Sequence, residues 1–422
     1  MPGKLSFRTR YLIYCSMTED KRRRTQLILF VLTFFSTTAA GAEWIYGHFL
    51  ISGDLSWAQF WDGMEYSVPF LLILTCHEFG HYLTARYHHI KVTLPYYLPL
   101  WLFGLIPLFG TLGAFIRIRE AIESRTKYFD VGVAGPIAGF VVAFGVIWYG
   151  FTNLPEPEYI YEIHPEYELF GDDFSILYEI DTVLYKSDLP NPDRINYSIL
   201  PDSLIISGSR GISLQLGPNL LFYLMEAYVV EDRSRIPHPN EMIHYPWLLV
   251  GFLSLFFTSI NLLPIGQLDG GHVVFSVFGE RRSRRISQVL FTALVFYSGL
   301  GVISPDSMQG TSGGEPFNFL MKLILYVYFL YLCFTSMIES RRDRLMMATI
   351  LLAIQYLVAA FFQVEGYYGW MLFALLIGRF LGVYHPPVAD NRPLTKGRIA
   401  VAILALIIFI LSFSPYPLIT VV

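Results

Sequence analysis

The chain has 422 residues, of which 54% are apolar and only 15% charged, with a net charge of −4. A soluble globular chain carries about 25% charge. This shortfall, with long uncharged runs from end to end, excludes disorder, a coiled coil and a secreted disulfide scaffold, and points to a polytopic helical membrane protein. Cys15, Cys76 and Cys333 form no CxxC pair and predict no disulfide framework. The charge balance gives no general attraction to nucleic acid, which is not expected as a partner.

Residues 1–25 read as a basic cytoplasmic arm ending in Lys21, Arg22, Arg23 and Arg24. The apolar run that follows lacks a small-residue cleavage site and reads as a retained anchor. Apolar spans are predicted at about 26–41, 66–87, 130–151, 246–264 running on to 277, 286–303, 317–338, 345–362, 367–384 and 398–414. The expected fold is an all-α polytopic membrane protein, a bundle of eight or nine transmembrane helices. A small membrane-associated β-hairpin and one extramembrane insert complete it. The divisions are the arm, a transmembrane core at 26–152, an acidic extracytoplasmic insert at 153–245, further core at 246–280, and additional helices at 281–422.

Short cytoplasmic loops are enriched in Lys and Arg. The N-terminal cluster, the loop carrying Arg86, Lys91, Arg117, Arg119, Arg125 and Lys127, the run Arg281 to Arg285, and Arg341, Arg342 and Arg344 all fall on one side if the spans alternate. That side is the cytoplasm, with the N-terminus inside. The 153–245 insert falls outside. It opens with seven acids from Glu156 to Asp173 and contains runs such as Leu204-Ile205-Ile206. Its length suffices for a small domain. Two readings stand side by side: a substrate-admitting or regulatory domain, and a solvated spacer.

The second span contains His77-Glu78-Phe79-Gly80-His81, an H-E-x-x-H pattern. On a helix, positions i and i+4 share a face, so His77 and His81 can reach one metal. Imidazole suits zinc, and Glu78 lies beside the first ligand, where it can take a proton from an activated water. Three ionisable groups inside a span are costly unless paired, and a bound cation offsets that cost.

Catalytic zinc takes three protein ligands and keeps a position open. Asp269 is the single acid in the run 246–279, in the stretch Asn261-Leu262-Leu263-Pro264-Ile265-Gly266-Gln267-Leu268-Asp269-Gly270. Pro264, Gly266, Gly270 and Gly271 are expected to break the helix and free backbone groups to line a cavity. Asp269 reads as the third ligand, with a helix-cap carboxylate as the alternative. His272 is the runner-up ligand and otherwise a supporting neighbour. By the span directions, His77, His81 and Asp269 meet at similar depth on the cytoplasmic side.

The H-E-F-G-H and N-x-x-P-x-x-x-L-D-G motifs, in this order, resemble those of the site-2 protease family of intramembrane zinc metalloproteases. Gly110 to Ile116 and Ala134-Gly135-Pro136-Ile137-Ala138-Gly139 are also similar to segments of that family. The likeness covers about residues 65–280 and is nearest to bacterial and plant plastid members with extra spans. It implies His77, His81 and Asp269 as ligands of one catalytic Zn2+ and Glu78 as catalytic base. It also implies that Asn261 helps hold the substrate or its oxyanion. The PDZ module familiar from the family is not recognisable in 153–245.

The expected function is hydrolysis of peptide bonds in single-span membrane proteins, near the cytoplasmic side of the lipid bilayer. A non-hydrolytic metal-binding protein or transporter using the same His and Asp residues is the alternative. A bacterial inner membrane is the expected location, because no Arg- and Ser-rich transit peptide is seen.

Between the core spans, Leu94 to Trp101 and Gly104 to Gly113 are apolar but broken by Pro and Gly. They read as a re-entrant or interfacial loop, and Ala114 to Arg119 alternate as a strand would. A strand edge near the metal could hold an unwound substrate by β-augmentation, and a structural surface hairpin is the plainer alternative. Gly135 and Gly139 suit close helix packing. His88 and His89 mark the end of the second span, and His244 with Trp247 anchors the outer end of the fourth.

Overall fold

The computed structural model describes residues 19–48, 50, 55–102, 108–169, 171, 174, 183–184, 206–207, 213–305 and 316–421. Helix α1, Glu19–Tyr46, opens with Glu19 and Asp20, acids suited to the positive end of a helix dipole. Lys21 to Arg24 therefore lie within its first turns, and the rest of the basic arm is outside the described residues. Its small residues are buried, and a Cβ on Gly41 would stand 2.7 Å from the Tyr66 Cβ, so α1 crosses the next long helix backbone to backbone. Hydroxyls tie this crossing, as in membrane helix pairs. The Thr37 and Ser67 hydroxyls are 2.8 Å apart across it, and Ser36 donates outside it, to the Gly110 carbonyl at 2.7 Å.

Short helix α2, Trp57–Asp62, is started by a capping box between Ser56 and Gln59. Helix α3, Met64–Tyr87, carries the H-E-x-x-H residues. Strands β1, Tyr96–Leu100, and β2, Gly110–Phe115, pair antiparallel with Tyr96 opposite Phe115, which realises the expected hairpin. Helix α4, Arg125–Thr152, then packs along α3. The interior explains this closeness. Gly132, Gly135 and Gly139 share a face of α4, and that face receives α3 and the Asp269 helix.

Of the 153–245 insert, most of 170–212 lies outside the described residues. Its described elements are α5, Tyr159–Ile163, a turn of 3-10 helix at Pro165–Leu169, the short pair β3 Val183–Leu184 with β4 Ile206–Ser207, strand β5, Ser213–Leu216, helix α6, Leu220–Tyr228, and turns of 3-10 helix at Arg233–Arg235 and Met242–His244. The expected fourth span is broken. Helix α7, Pro246–Asn261, stops before Pro264, and α8, Asp269–Phe278, begins after a tight turn.

Helices α9, Glu280–Ser298, α10, Pro316–Cys333, α11, Arg341–Phe362, and α12, Trp370–Leu376, share an apolar core built on Phe291, Val295, Leu330, Phe334, Ala348 and Ala374. Helix α13, Lys396–Ser412, returns to the first half of the chain. There Ala405 and Ile408 pack with Phe129, Val133, Leu262 and Val273. Strand β6, Leu418–Val421, pairs antiparallel with β5 and closes on the insert.

Among the described residues, four helices are long and apolar enough to cross a membrane: Glu19–Tyr46, Arg125–Thr152, Asn318–Ser336 and Arg341–Phe362. The expected eight or nine spans are not confirmed by this count. Helix α3 carries Glu65, Glu78 and Arg86, α7 has 16 residues and α13 has 17, and α9 opens on a charged run. Spanning needs about 20 apolar residues. Cys76 and Cys333 are free thiols, and Cys15 is outside the described residues.

Candidate metal centre

His77 and His81 lie one turn apart on α3, facing α4. Glycine of α4 stands opposite each imidazole, Gly135 against His81 and Gly139 against His77. A Cβ at Gly135 would lie 2.1 Å from His81 Nε2, and one at Gly139 would lie 3.1 Å from the His77 Cβ. The His81 Nδ1–H donates to the Val131 carbonyl at 2.7 Å. That bond fixes the tautomer and leaves the Nε2 lone pair facing the centre.

Asp269 arrives from the other side through the turn at 262–268. Gly266 holds a left-handed φ of +59°. A Cβ on Gly270 would stand 2.0 Å from the Leu262 carbonyl oxygen, and one on Gly271 would stand 2.3 Å from that of Gly266. Only glycine lets the chain double back so closely. Asp269 thereby becomes the first residue of α8, in line with Asn261 at the last turn of α7.

The result is one cluster. His77 Nε2 and His81 Nε2 are 3.1 Å apart, and the Asp269 Oδ2 is 3.6 Å from the first and 3.3 Å from the second. A tetrahedral centre with metal–ligand distances of about 2.0–2.1 Å has donor–donor edges of about 3.3–3.4 Å. Two imidazole lone pairs and a carboxylate, all acceptors converging at that spacing, repel one another unless a cation lies among them. The donor set therefore fits a divalent metal, with nitrogen and oxygen ligands suited to zinc.

Glu78 and Asn261 border the same space. Both imidazoles and the Glu78 side chain are buried. The Asn261 amide nitrogen is 3.4 Å from His77 Nε2. An open cleft of about 310 Å³ runs past His77, Glu78, His81, Asn261 and Asp269, with Ala114, Phe115 and Ile116 along one wall. A second recess of the same region, bordered by Thr111 to Ala114, Phe257 and Thr258, reaches His77 and Glu78 from the apolar side. Among the described strands β2 pairs with β1 alone, so its other edge has no strand partner. In chemical terms these buried residues could hold a divalent metal, with an acid beside them and an open cleft alongside.

His272 stays outside the cluster. Its Nδ1 lies 2.8 Å from His385 Nε2, and its ring stacks on Tyr128. His385 had no signal in the sequence, since it belongs to the segment between α12 and α13. His88 is more than a boundary marker: its Nε2 is 2.9 Å from Asp130, which also takes a two-pronged pair of bonds from Arg398, both at 2.7 Å. The part of the glycines facing the imidazoles was missed, although their spacing was visible.

The model of "Peptidase family M50" matches residues 65–303, more than half of the chain. The chain belongs to peptidase family M50, the site-2 protease family. Similar curated proteins include "Probable zinc metalloprotease EGY2, chloroplastic" of Oryza sativa subsp. indica, 26% identical over 273 residues, which cover 61% of this chain and 39% of that protein. The protein of the same name from Arabidopsis thaliana is 25% identical over 282 residues, 63% of this chain and 41% of that protein. "Probable zinc metalloprotease EGY1, chloroplastic" of Arabidopsis thaliana is 26% identical over 208 residues, 49% of this chain and 28% of that protein. The chain thus spans about two fifths, or less, of the length of these relatives. No solved structure matches it.

Proposed function

We propose that the chain is a membrane-embedded zinc endopeptidase that cuts single-span membrane proteins near the cytoplasmic side of the bilayer. The observation that carries this reading is the convergence of His77, His81 and Asp269 at tetrahedral-edge distances beside Glu78. His77, His81 and Asp269 would hold one Zn2+, which when bound supplies Lewis-acid polarisation of a water molecule and of the scissile carbonyl. Glu78 takes the proton of the attacking water and passes it to the departing amine. The Asn261 amide donates to the oxygen that gains charge as the carbonyl is attacked. The open edge of β2 takes the substrate as an added strand. A peptide bond within a helix is shielded by its own hydrogen bonds, so the substrate must unwind before attack, and an extended partner stabilises the unwound form.

The proposed side of cutting is supported by the Lys- and Arg-rich loops, which gather on one side if the spans alternate, as short cytoplasmic loops do. The relatives are named chloroplastic, which lends no support to a bacterial inner membrane, so an integral membrane location is what we retain.

The test is Glu78→Gln in the purified full chain, measured for zinc content and for cleavage of a model single-span substrate. Zinc is retained and cleavage falls by about 10²-fold or more, the typical worth of a positioned general base. Cleavage at the wild-type rate by Glu78→Gln would overturn the role given to Glu78, whereas a zinc-loaded wild-type chain that cuts nothing would favour a non-hydrolytic metal-binding protein.

A further inference from the structure

A second cluster of metal-ligating side chains lies away from the centre described above. It is made by His164, just after α5, and by Glu241 and His244, just before α7. His164 Nε2 and His244 Nε2 are 3.3 Å apart. The Glu241 Oε2 is 3.5 Å from the His244 nitrogen and 3.7 Å from that of His164. These spacings match the tetrahedral edge of about 3.3–3.4 Å as closely as those of the first centre do.

The surroundings orient all three groups inward. The His244 Nδ1–H donates to the Ile45 carbonyl at 2.7 Å, which leaves its Nε2 lone pair facing the cluster. The Tyr167 hydroxyl donates to the Glu241 Oε1 at 3.1 Å, which turns Oε2 toward the imidazoles. The Glu241 and His244 side chains are buried, at 4% and 6% exposure, whereas His164 is 26% exposed, so one side remains open to solvent. The position is remote from the first centre. His244 precedes the first residue of α7 and Asn261 is its last, and 16 helical residues span about 24 Å.

We propose that His164, Glu241 and His244 form a second, structural site for a divalent transition-metal cation of the zinc type. The cation would join the start of the insert to its end. Through the His244–Ile45 bond it would also join both to the C-terminal turn of α1. Two neutral imidazoles and a carboxylate are a zinc donor set, with the fourth position on the open His164 side left to water.

The test is the zinc-to-protein ratio of the full chain, purified in detergent, equilibrated with zinc and freed of excess metal. His164→Asn and Glu241→Gln should each lower the ratio by one equivalent relative to wild type. His77→Asn should lower it by one independently, so failure at either centre is read separately. His164→Asn changes a partly exposed side chain, and a thermal melt of each variant shows whether it is folded. A folded His164→Asn protein with the wild-type ratio overturns the proposal. If Glu241→Gln does not fold, the outcome with His164→Asn decides alone.

Discussion

Gly135→Ala tests the centre most sharply, because two physical effects oppose each other. In a helix interior Ala is favoured over Gly by about 1 kcal/mol, so α4 by itself should gain stability. The added Cβ, however, would lie 2.1 Å from His81 Nε2 and 2.5 Å from the two carbons flanking it. Ordinary contact begins at 3.4 Å, so the imidazole must retreat by about 1.3 Å. Metal sites tolerate deviations of about 0.2 Å in ligand distance. Loss of an orienting neighbour alone typically costs 10–100-fold in metal affinity, and displacing the ligand itself should cost at least that.

Two further variants on the same helix calibrate the effect. At Gly145 an added Cβ meets nothing within 4 Å, and at Gly139 it lies 3.1 Å from the His77 Cβ, a conflict that a shift of a few tenths of an ångström relieves. Zinc affinity, measured by competition with a chromophoric chelator, should therefore be unchanged in Gly145→Ala. It should be modestly reduced in Gly139→Ala and reduced by about 10–100-fold or more in Gly135→Ala. Cleavage should fall in the same order. Wild-type zinc affinity in Gly135→Ala would show that the imidazole is not held against α4 as described, and the geometric reasoning would fail.

Asp269→Ala should lower zinc affinity at the first centre and abolish cleavage, with the second cluster still loaded; metal content and a cleavage assay read both. Arg125→Met should destabilise the protein by about 1–3 kcal/mol. The Arg125 guanidinium donates to the Ser276 and Val277 carbonyls at 2.6 and 2.9 Å, at the C-terminal end of α8, where positive charge is favoured. Chemical denaturation checks this, and an unchanged midpoint would refute it. A chelator strong enough to strip zinc should stop cleavage reversibly, with activity returning on zinc addition. Asp130→Asn should loosen the junction of α3, α4 and α13, read as faster amide exchange at the start of α13, since Arg398 and His88 both depend on that carboxylate.

Much of the first centre was legible before any coordinates. His77, Glu78 and His81 lie within five residues of one helix, and helical periodicity alone puts the two imidazoles on one face. Asp269 stood out because an acid in a long apolar run needs a partner, and Pro264 and the glycines around it announced the turn that presents it. These are local signals, carried by spacing and by the cost of polar groups in apolar surroundings. A small β-structure is expected near 96–115, but the sequence reads as a re-entrant or interfacial loop over 94–113 with a strand at 114–119, whereas the strands lie at Tyr96–Leu100 and Gly110–Phe115.

What only the tertiary structure decided depends on residues far apart in the chain. Neither His164 nor Glu241 carries a signal of its own, and His244 looked like a boundary residue until the chain closed 80 positions into one 3.3 Å contact. The return of α13 to pack on α4 and α7, and the meeting of His385 with His272, are likewise invisible to periodicity. The count of spans is not confirmed by the long apolar helices among the described residues, because hydropathy marks where a helix is apolar and not how long it is. Spacing along a chain determines which side chains share a helix face; which faces meet is determined by packing, and packing is a property of the whole fold.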